Sequence, residues 1–417
     1  MPSESPTGPA PNPPTPSASP MPSALVALFA CACGLSVANV YYAQPLLDAL
    51  GGEFALDHAA VGGVITATQI GCALALLLLV PLGDRIDRRR LMLWQAAALV
   101  GALIAVAAAA SAPALLVGML AVGLLGTAMT QGLIAYAATA GAPSERGRVV
   151  GAAQGGVVIG LLLARVLAGL IADVAGWRGV YLFSALAMLA LSLLLWRRLP
   201  AQNPAISRLS YPKLILSMLT LLRQQRVLQI RGTIAMLMFA AFSVFWSALV
   251  LPLSAPPYAL SYTAIGAFGL VGVVGALAAA RAGRLADRGL GQRVTGGALL
   301  VLLASWLPLW WFDAHGLWWL VIGIIALDLG GQAIHVANQS MIFAAQRDAH
   351  SRLVGCYMLF YSVGSGLGAI ASTWVYALAG WQAVCLLGAG ISAAALAFWA
   401  LTLRHMPKVS AACAQPA

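Results

Sequence analysis

Apolar residues run along this chain in long uncharged stretches, each ended by a short polar, glycine or proline break. Crossing a hydrocarbon layer of about 30 Å takes about 20 apolar residues of helix. At that length the stretches predict twelve spanning helices, at 24–48, 59–82, 91–110, 114–139, 149–172, 177–196, 228–253, 262–282, 294–312, 317–343, 352–376 and 381–403. The pattern is also duplicated. Ala175-Gly-Trp-Arg-Gly-Val returns as Ala379-Gly-Trp-Gln-Ala-Val, and Arg148-Val-Val-Gly returns as Arg352-Leu-Val-Gly, both at the same offset. Gly83-Asp84-Arg85 answers to Ala286-Asp287-Arg288 within one position of it. The predicted fold is an all-α integral membrane protein, two parallel repeats of six helices each.

Composition agrees: 61% hydrophobic and 8% charged residues leave too little polar surface to cover a soluble domain. The net charge of +11 raises the question of a nucleic-acid partner, and its distribution answers against one. Of the 23 basic residues, only Arg178 falls in an odd-numbered loop and only Arg165 in mid-helix; the rest lie in or beside the even-numbered loops or at the C-terminus. Asp48, Glu53, Asp57, Asp173 and Asp313 occupy the odd loops instead. The positive-inside rule then puts both termini in the cytoplasm, for a multi-pass protein of the plasma (inner) membrane.

Five regions follow: a disordered tail 1–23, a six-helix bundle 24–196, a basic cytoplasmic linker 197–227, a second bundle 228–403 and a cytoplasmic tail 404–417. The first 22 residues are rich in Pro and Ser and carry no Lys or Arg, unlike the basic start of a secretory signal, and Met21 is an alternative start. The six cysteines have no paired spacing and read as small apolar residues, so neither a disulfide nor a metal is expected. Trp306, Trp310, Trp311, Trp318 and Trp319 cluster where helices nine and ten meet the interface, and read as an anchor.

Six helices, a basic linker and six more helices resemble the major facilitator superfamily, over essentially everything after residue 23. The loop signature of that family between helices two and three, Gly-x-Leu-Ala-Asp-Arg-x-Gly-Arg-Lys, is partly matched by Leu82-Gly-Asp-Arg-Ile-Asp-Arg-Arg-Arg90, with Val80 and Asp87 at its glycine positions. Gly283-Arg-Leu-Ala-Asp-Arg288 matches the first six positions more closely. The resemblance implies a cytoplasmic gate formed by Asp84, Arg85, Arg88, Asp287 and Arg288; a carboxylate suits a helix N-terminus and arginines clamp it. A solvated positive-inside loop is the plainer alternative.

Asn39-Val-Tyr-Tyr-Ala-Gln-Pro45 is similar to the same point in a bacterial branch near the drug/proton antiporters and the nucleoside and sugar exporters. Two export signatures depart from pattern. Ala128 stands where an Arg precedes Gln131, and Leu161 stands where a Pro follows Gly156-Val-Val-Ile-Gly160.

Scaffold features repeat between halves, whereas a cargo is rarely symmetric. Arg165 answers to Ala369 and Asp328 to Leu124, so each charge exists in one half only, and these two are the only acidic or basic residues read as lying well inside helices. A mid-membrane charge is costly and faces water or a partner. At about 1.5 Å per residue the two differ in depth by about 6–10 Å. They are expected to approach each other across the central path or to receive a cargo jointly; pairing with amides or carbonyls of their own half is the alternative.

Asp328, Gln332, His335 and Gln339 follow i, i+4, i+7, i+11, one polar face on an apolar helix, which must look into the bundle. His335 or Asp328 is placed to take a coupling proton; helix–helix packing is the other use of such a stripe. Further candidates are Asn39 and Ser36, Gln69, Gln131, Phe245 and Trp246, Tyr357 and Tyr361, each equally consistent with packing. Gly155, Gly156, Gly160 and Gly169 on helix five suit close helix contact.

The sequence therefore predicts a secondary transporter, exporting a small organic molecule against protons by alternating access, with an uncoupled facilitator or importer as the alternative. There is no P-loop, so ATP is not the drive, and no cofactor is expected. A polytopic enzyme or receptor is the remote alternative. His58, His315, His335, His350 and His405 are scattered without ligand spacing, which argues against an enzyme.

Overall fold

The computed structural model describes residues 21–140, 145–199, 210–345 and 350–405. Everything regular among them is helix, as a chain in hydrocarbon requires, because an α-helix satisfies its own backbone N–H and C=O groups. Helix 1 is Ser23–Tyr41, helix 2 starts at Gly63–Leu74 and continues in tighter and wider turns to Asp84, helix 3 is Arg88–Ala107 and helix 4 is Ala112–Ala140. Helices 5 and 6 are the two parts of Arg146–Arg198. Helix 7 is Arg226–Ala248, and helix 8 runs in three pieces, Tyr262–Ala267, a 3-10 segment Phe268–Gly272 and Val273–Leu285. Helix 9 is Gly291–Ala304 extended by Trp306–His315, helix 10 is Leu317–Ala345, and helices 11 and 12 are the two parts of His350–Thr402.

Among the described residues, nine continuous helical stretches are long and apolar enough to cross a membrane. Two of the nine are double length, and helix 8 adds a further apolar helix with the stretch Tyr262–Gly275, so the twelve spans of the sequence pattern are accounted for. Each double-length helix is broken at one glycine of positive φ, Gly176 at 69° and Gly380 at 71°, which are repeat mates. A side chain there would be strained, which is why a turn this sharp is written as glycine twice.

Within each half the same pairs pack. Glycines Gly156 and Gly160 bring helix 5 against the backbone of helix 1 at Ala30 and Gly34, and Gly364 and Gly368 bring helix 11 against helix 7 at Met236 and Ala240. Between the halves, helix 5 meets helix 8 and helix 2 meets helix 11. Gly169 takes the first contact, lying on the backbone of Tyr262. The end of the bundle carrying residues 21 and 405 is called here the terminal end, and the other the distal end.

Two expectations are corrected, and the linker carries more structure than its charge suggests. The linker region holds a helix, Tyr211–Gln224, which buries Leu214 and Met218 and bonds Tyr211 Oη to the Leu78 carbonyl at 2.7 Å; its apolar residues recur at helical spacing among the basic ones, so the charge masked the period. Trp306 is not an interfacial anchor: it is 3% exposed, with its indole N–H donating to Ser392 Oγ at 2.9 Å, whereas Trp318 is 80% exposed. Arg231 is not a loop residue. It is fully buried on helix 7, with Nη1 donating to Thr295 Oγ1 at 3.0 Å and Asn338 Oδ1 at 3.3 Å, and Nε and Nη2 have no partner.

Candidate functional site

A cavity of about 260 Å³ lies between the halves, walled by helices 1, 2, 4 and 5 on one side and 7, 8, 10 and 11 on the other. Its walls differ. Helix 7 contributes Phe239, Phe242 and Trp246, a stripe at i, i+3, i+7. The opposite wall is aliphatic, with Val37, Val40, Val157 and Leu161. Toward the terminal end come amides, Gln131, Gln154 and Gln339. A second cavity of about 80 Å³ shares Gln131 and reaches Arg88 and Arg352 at the terminal end.

Arg165 and Asp328 both line the larger cavity, and each is nearly fully buried. Arg165 comes from helix 5, yet its guanidinium lies 4.0 Å from the centre of the Trp246 ring in the other half, and 5.6 Å from that of Tyr41. A cation held on an aromatic face in a desolvated site is a favourable contact of about 2 kcal/mol. Its Nε donates to Gln44 Oε1 at 2.9 Å and its Nη1 to the Leu161 carbonyl at 3.5 Å, while Nη2 has no partner. Among the described residues, Arg165 and Asp328 do not form an ion pair.

All four members of the helix-10 stripe, Asp328, Gln332, His335 and Gln339, line the cavity. His335 Nδ1 is 3.0 Å from Tyr357 Oη and its Nε2 is 3.3 Å from Gln339 Nε2, so its ring is fixed from two sides. Gln131, Trp246 and Tyr361 line the cavity as well. Asn39 does not. It is fully buried in the first half, donating to the Leu35 carbonyl at 2.9 Å and accepting from Ser184 of helix 6. Its polarity serves packing, because the neighbouring serine satisfies it.

Of the gate candidates, Arg85, Arg88 and Arg288 do not line the larger cavity. The side chains of Asp84 and Asp287 lie outside the described residues, and Arg85 and Arg288 are exposed. Arg88 donates to the Gly83 and Ala135 carbonyls at 3.0 and 3.2 Å, tying the loop to helix 4 of its own half. Sequence reasoning missed Tyr41 and Gln44 as site residues. Gln44 sits in a short turn, Gln44–Leu46, where no period marks it.

Contacts between the halves gather at the distal end. Tyr41 and Tyr361 join their hydroxyls across the cavity roof. Thr66 Oγ1 donates to the Gly366 carbonyl at 2.8 Å, and Thr373 Oγ1 reaches the Ala59 carbonyl at 3.4 Å. Asp173, at the end of helix 5, accepts the backbone N–H groups of Tyr262 and Thr263 at 3.0 and 2.9 Å, occupying the free donors at the start of helix 8. The cavity is thus closed distally, and its amide-lined side faces the terminal end.

Relatives and solved structures place this architecture. The chain is 40% identical over 376 residues, 90% of this chain and 95% of the relative, to "Uncharacterized transporter YgaY" of Escherichia coli. It is 30% identical over 378 residues, 86% and 83% of the two chains, to "Probable transporter SCO4007" of Streptomyces coelicolor. The fold is similar to a bacterial homologue of the human lysosomal transporter Spinster in an inward-facing, occupied conformation, with a TM-score of 0.77 at 14% identity over 92% of this chain and 97% of that one. It is also similar to the nucleoside transporter NupG, with a TM-score of 0.70 at 15% identity over 90% and 99%. The Major Facilitator Superfamily model matches residues 26–295 and 233–414. The chain, a membrane-spanning transporter and not an enzyme, belongs to the Major Facilitator Superfamily.

Proposed function

We propose that this transporter exports a small organic molecule in exchange for protons, by alternating access of the central cavity to the two sides of the inner membrane, with both termini in the cytoplasm. One observation carries the reading: two opposite, buried, unpaired charges stand at the closed end of a cavity between the halves. A buried charge without an ion-pair partner is retained where a ligand or a proton relieves it. Asp328 is the proton acceptor of this reading, since a carboxylate binds either a proton or a cationic group but not both. His335 is the second proton site on the same face. Arg165 stacks across to Trp246 and therefore reports on whether the distal end is closed. The gate residues Asp84, Arg85, Arg88, Asp287 and Arg288 complete the cycle at the terminal end.

The test is small-molecule profiling of cells and medium with wild type and Asp328→Asn at matched expression, followed by reconstitution of the compound found. A compound should accumulate outside only with wild type, and its movement in liposomes should follow an imposed pH gradient. Movement that ignores the gradient would replace antiport by the second reading, an uncoupled facilitator. Ala128, buried where the export signature carries Arg, favours that reading.

A further inference from the structure

The charged end of the cavity is built along one face of helix 8. Gly266, Gly269, Gly272 and Gly275 recur every three residues, which is the period of the 3-10 segment Phe268–Gly272 that holds the middle two. They therefore stack in one row. Gly266 lies on the Arg165 backbone, and a Cβ on Gly269 would stand 3.2 Å from Arg165 Cδ. A Cβ on Gly272 would stand 2.5 Å from Asp328 Oδ2, and one on Gly275 2.7 Å from the Asp328 backbone. The two charged side chains thus lie across the same bare row, one turn apart, or about 6 Å along the helix.

Neither charge is neutralised by the protein. The guanidinium is satisfied by an amide oxygen, a carbonyl and a ring face, all uncharged, and keeps Nη2 free. Arginine does not shed its proton, so its charge persists. An anionic cargo on Arg165 would meet the Asp328 carboxylate one turn away, and a cationic cargo on Asp328 would meet the Arg165 guanidinium. Either single charge is opposed by the group it leaves unused. A cargo carrying both charged groups on one carbon relieves both.

We infer that the cargo is a zwitterion of the α-amino acid type with an aromatic or large apolar side chain. Its carboxylate takes the free face of Arg165, its ammonium takes Asp328, and its side chain lies along Phe239, Phe242 and Trp246. This rests on the reading that the cavity is the transport path, and it gives that reading a coupling step. Asp328 takes a proton between cargoes and gives it to water as the ammonium arrives, so it is a carboxylate whenever cargo is bound; its O–H bond breaks and no other bond changes. The ammonium and the proton compete for one site, which is the requirement for exchange.

The test needs no variant to begin. Wild-type protein in detergent is titrated calorimetrically with L-phenylalanine, with phenylalaninamide, which keeps the cation alone, and with 3-phenylpropionate, which keeps the anion alone. L-Phenylalanine should bind at least tenfold more tightly than either, releasing a proton to the buffer. Arg165→Gln should then bind phenylalanine and its amide alike, and Asp328→Asn should lose the preference for phenylalanine over phenylpropionate. Each variant is compared with wild type in elution and thermal unfolding. A single-charge probe binding as tightly as phenylalanine, or no binding of phenylalanine at millimolar concentration, overturns the inference. If profiling meanwhile identifies an exported compound with one charge or none, export stands and the zwitterion falls.

Discussion

Among the described residues two arginines are almost fully buried, and they are held differently. Arg165 shares its cavity with a carboxylate and an indole; Arg231 has only a threonine hydroxyl and an asparagine carbonyl, with two nitrogens unpartnered. Replacing a buried, poorly compensated ion by an apolar side chain of similar volume is often neutral or stabilising. Arg231→Met should therefore leave thermal unfolding unchanged or raise it, and should leave transport intact, while Arg231→Ala should lose about 2–4 kcal/mol through the space it opens. Unfolding followed by tryptophan fluorescence separates the two, and a large loss in Arg231→Met would mean that the charge itself holds helices 7, 9 and 10 together. Arg231 was illegible as a buried residue because it stands near a helix start among basic neighbours, where the positive-inside rule claims it. The helix-10 stripe was legible for the opposite reason: amides and a histidine recurring on one face of an apolar span have to look somewhere polar.

At the scale of the element, helix 8 is the piece whose irregularity the sequence concealed. Hydropathy predicts one span at 262–282, and the structure breaks it into three segments with a 3-10 centre. The four glycines at period three were the available signal, since a tighter helix stacks every third residue. Their effects divide by what a methyl would meet. Gly272→Ala presses on the Asp328 carboxylate, which can rotate away, so the fold should survive while cargo binding falls tenfold or more. Gly275→Ala presses on backbone, which cannot, and should lose about 1–3 kcal/mol of stability. Binding and unfolding measured on both variants decide it; equal loss of stability would make the row mere packing. Asn39, by contrast, takes the packing alternative, because a polar residue on helix 1 is satisfied by a serine on helix 6, a contact no local pattern announces.

For the whole molecule, the duplicated glycine turns and the matching helix pairs show how much of the architecture is repeat, and the contacts that close the distal end show where the repeat is broken. Asp173 has no acidic mate: its repeat position is Ala377. Its carboxylate joins helix 5 of one half to the start of helix 8 of the other. Removing it should cost the closed state about 1 kcal/mol and shift the balance of states roughly fivefold toward distal opening. Spin labels at Ala60 and Ala314, across the distal mouth, should report a longer distance in Asp173→Ala and an intermediate one in Asp173→Asn. An unchanged distance would mean the carboxylate bears no load in closure.

The turns at Gly176 and Gly380 have a mechanical meaning. With a single residue between helices 5 and 6, and again between 11 and 12, each pair is joined without slack, as one bent rod. Helix 6 shows the bilayer Leu182, Leu186, Leu189 and Leu193, while helix 5, three residues before the bend, holds the carboxylate that clasps helix 8. The outer arm of the rod faces lipid and the inner arm carries the distal clasp, which puts the membrane on the handle of the lever.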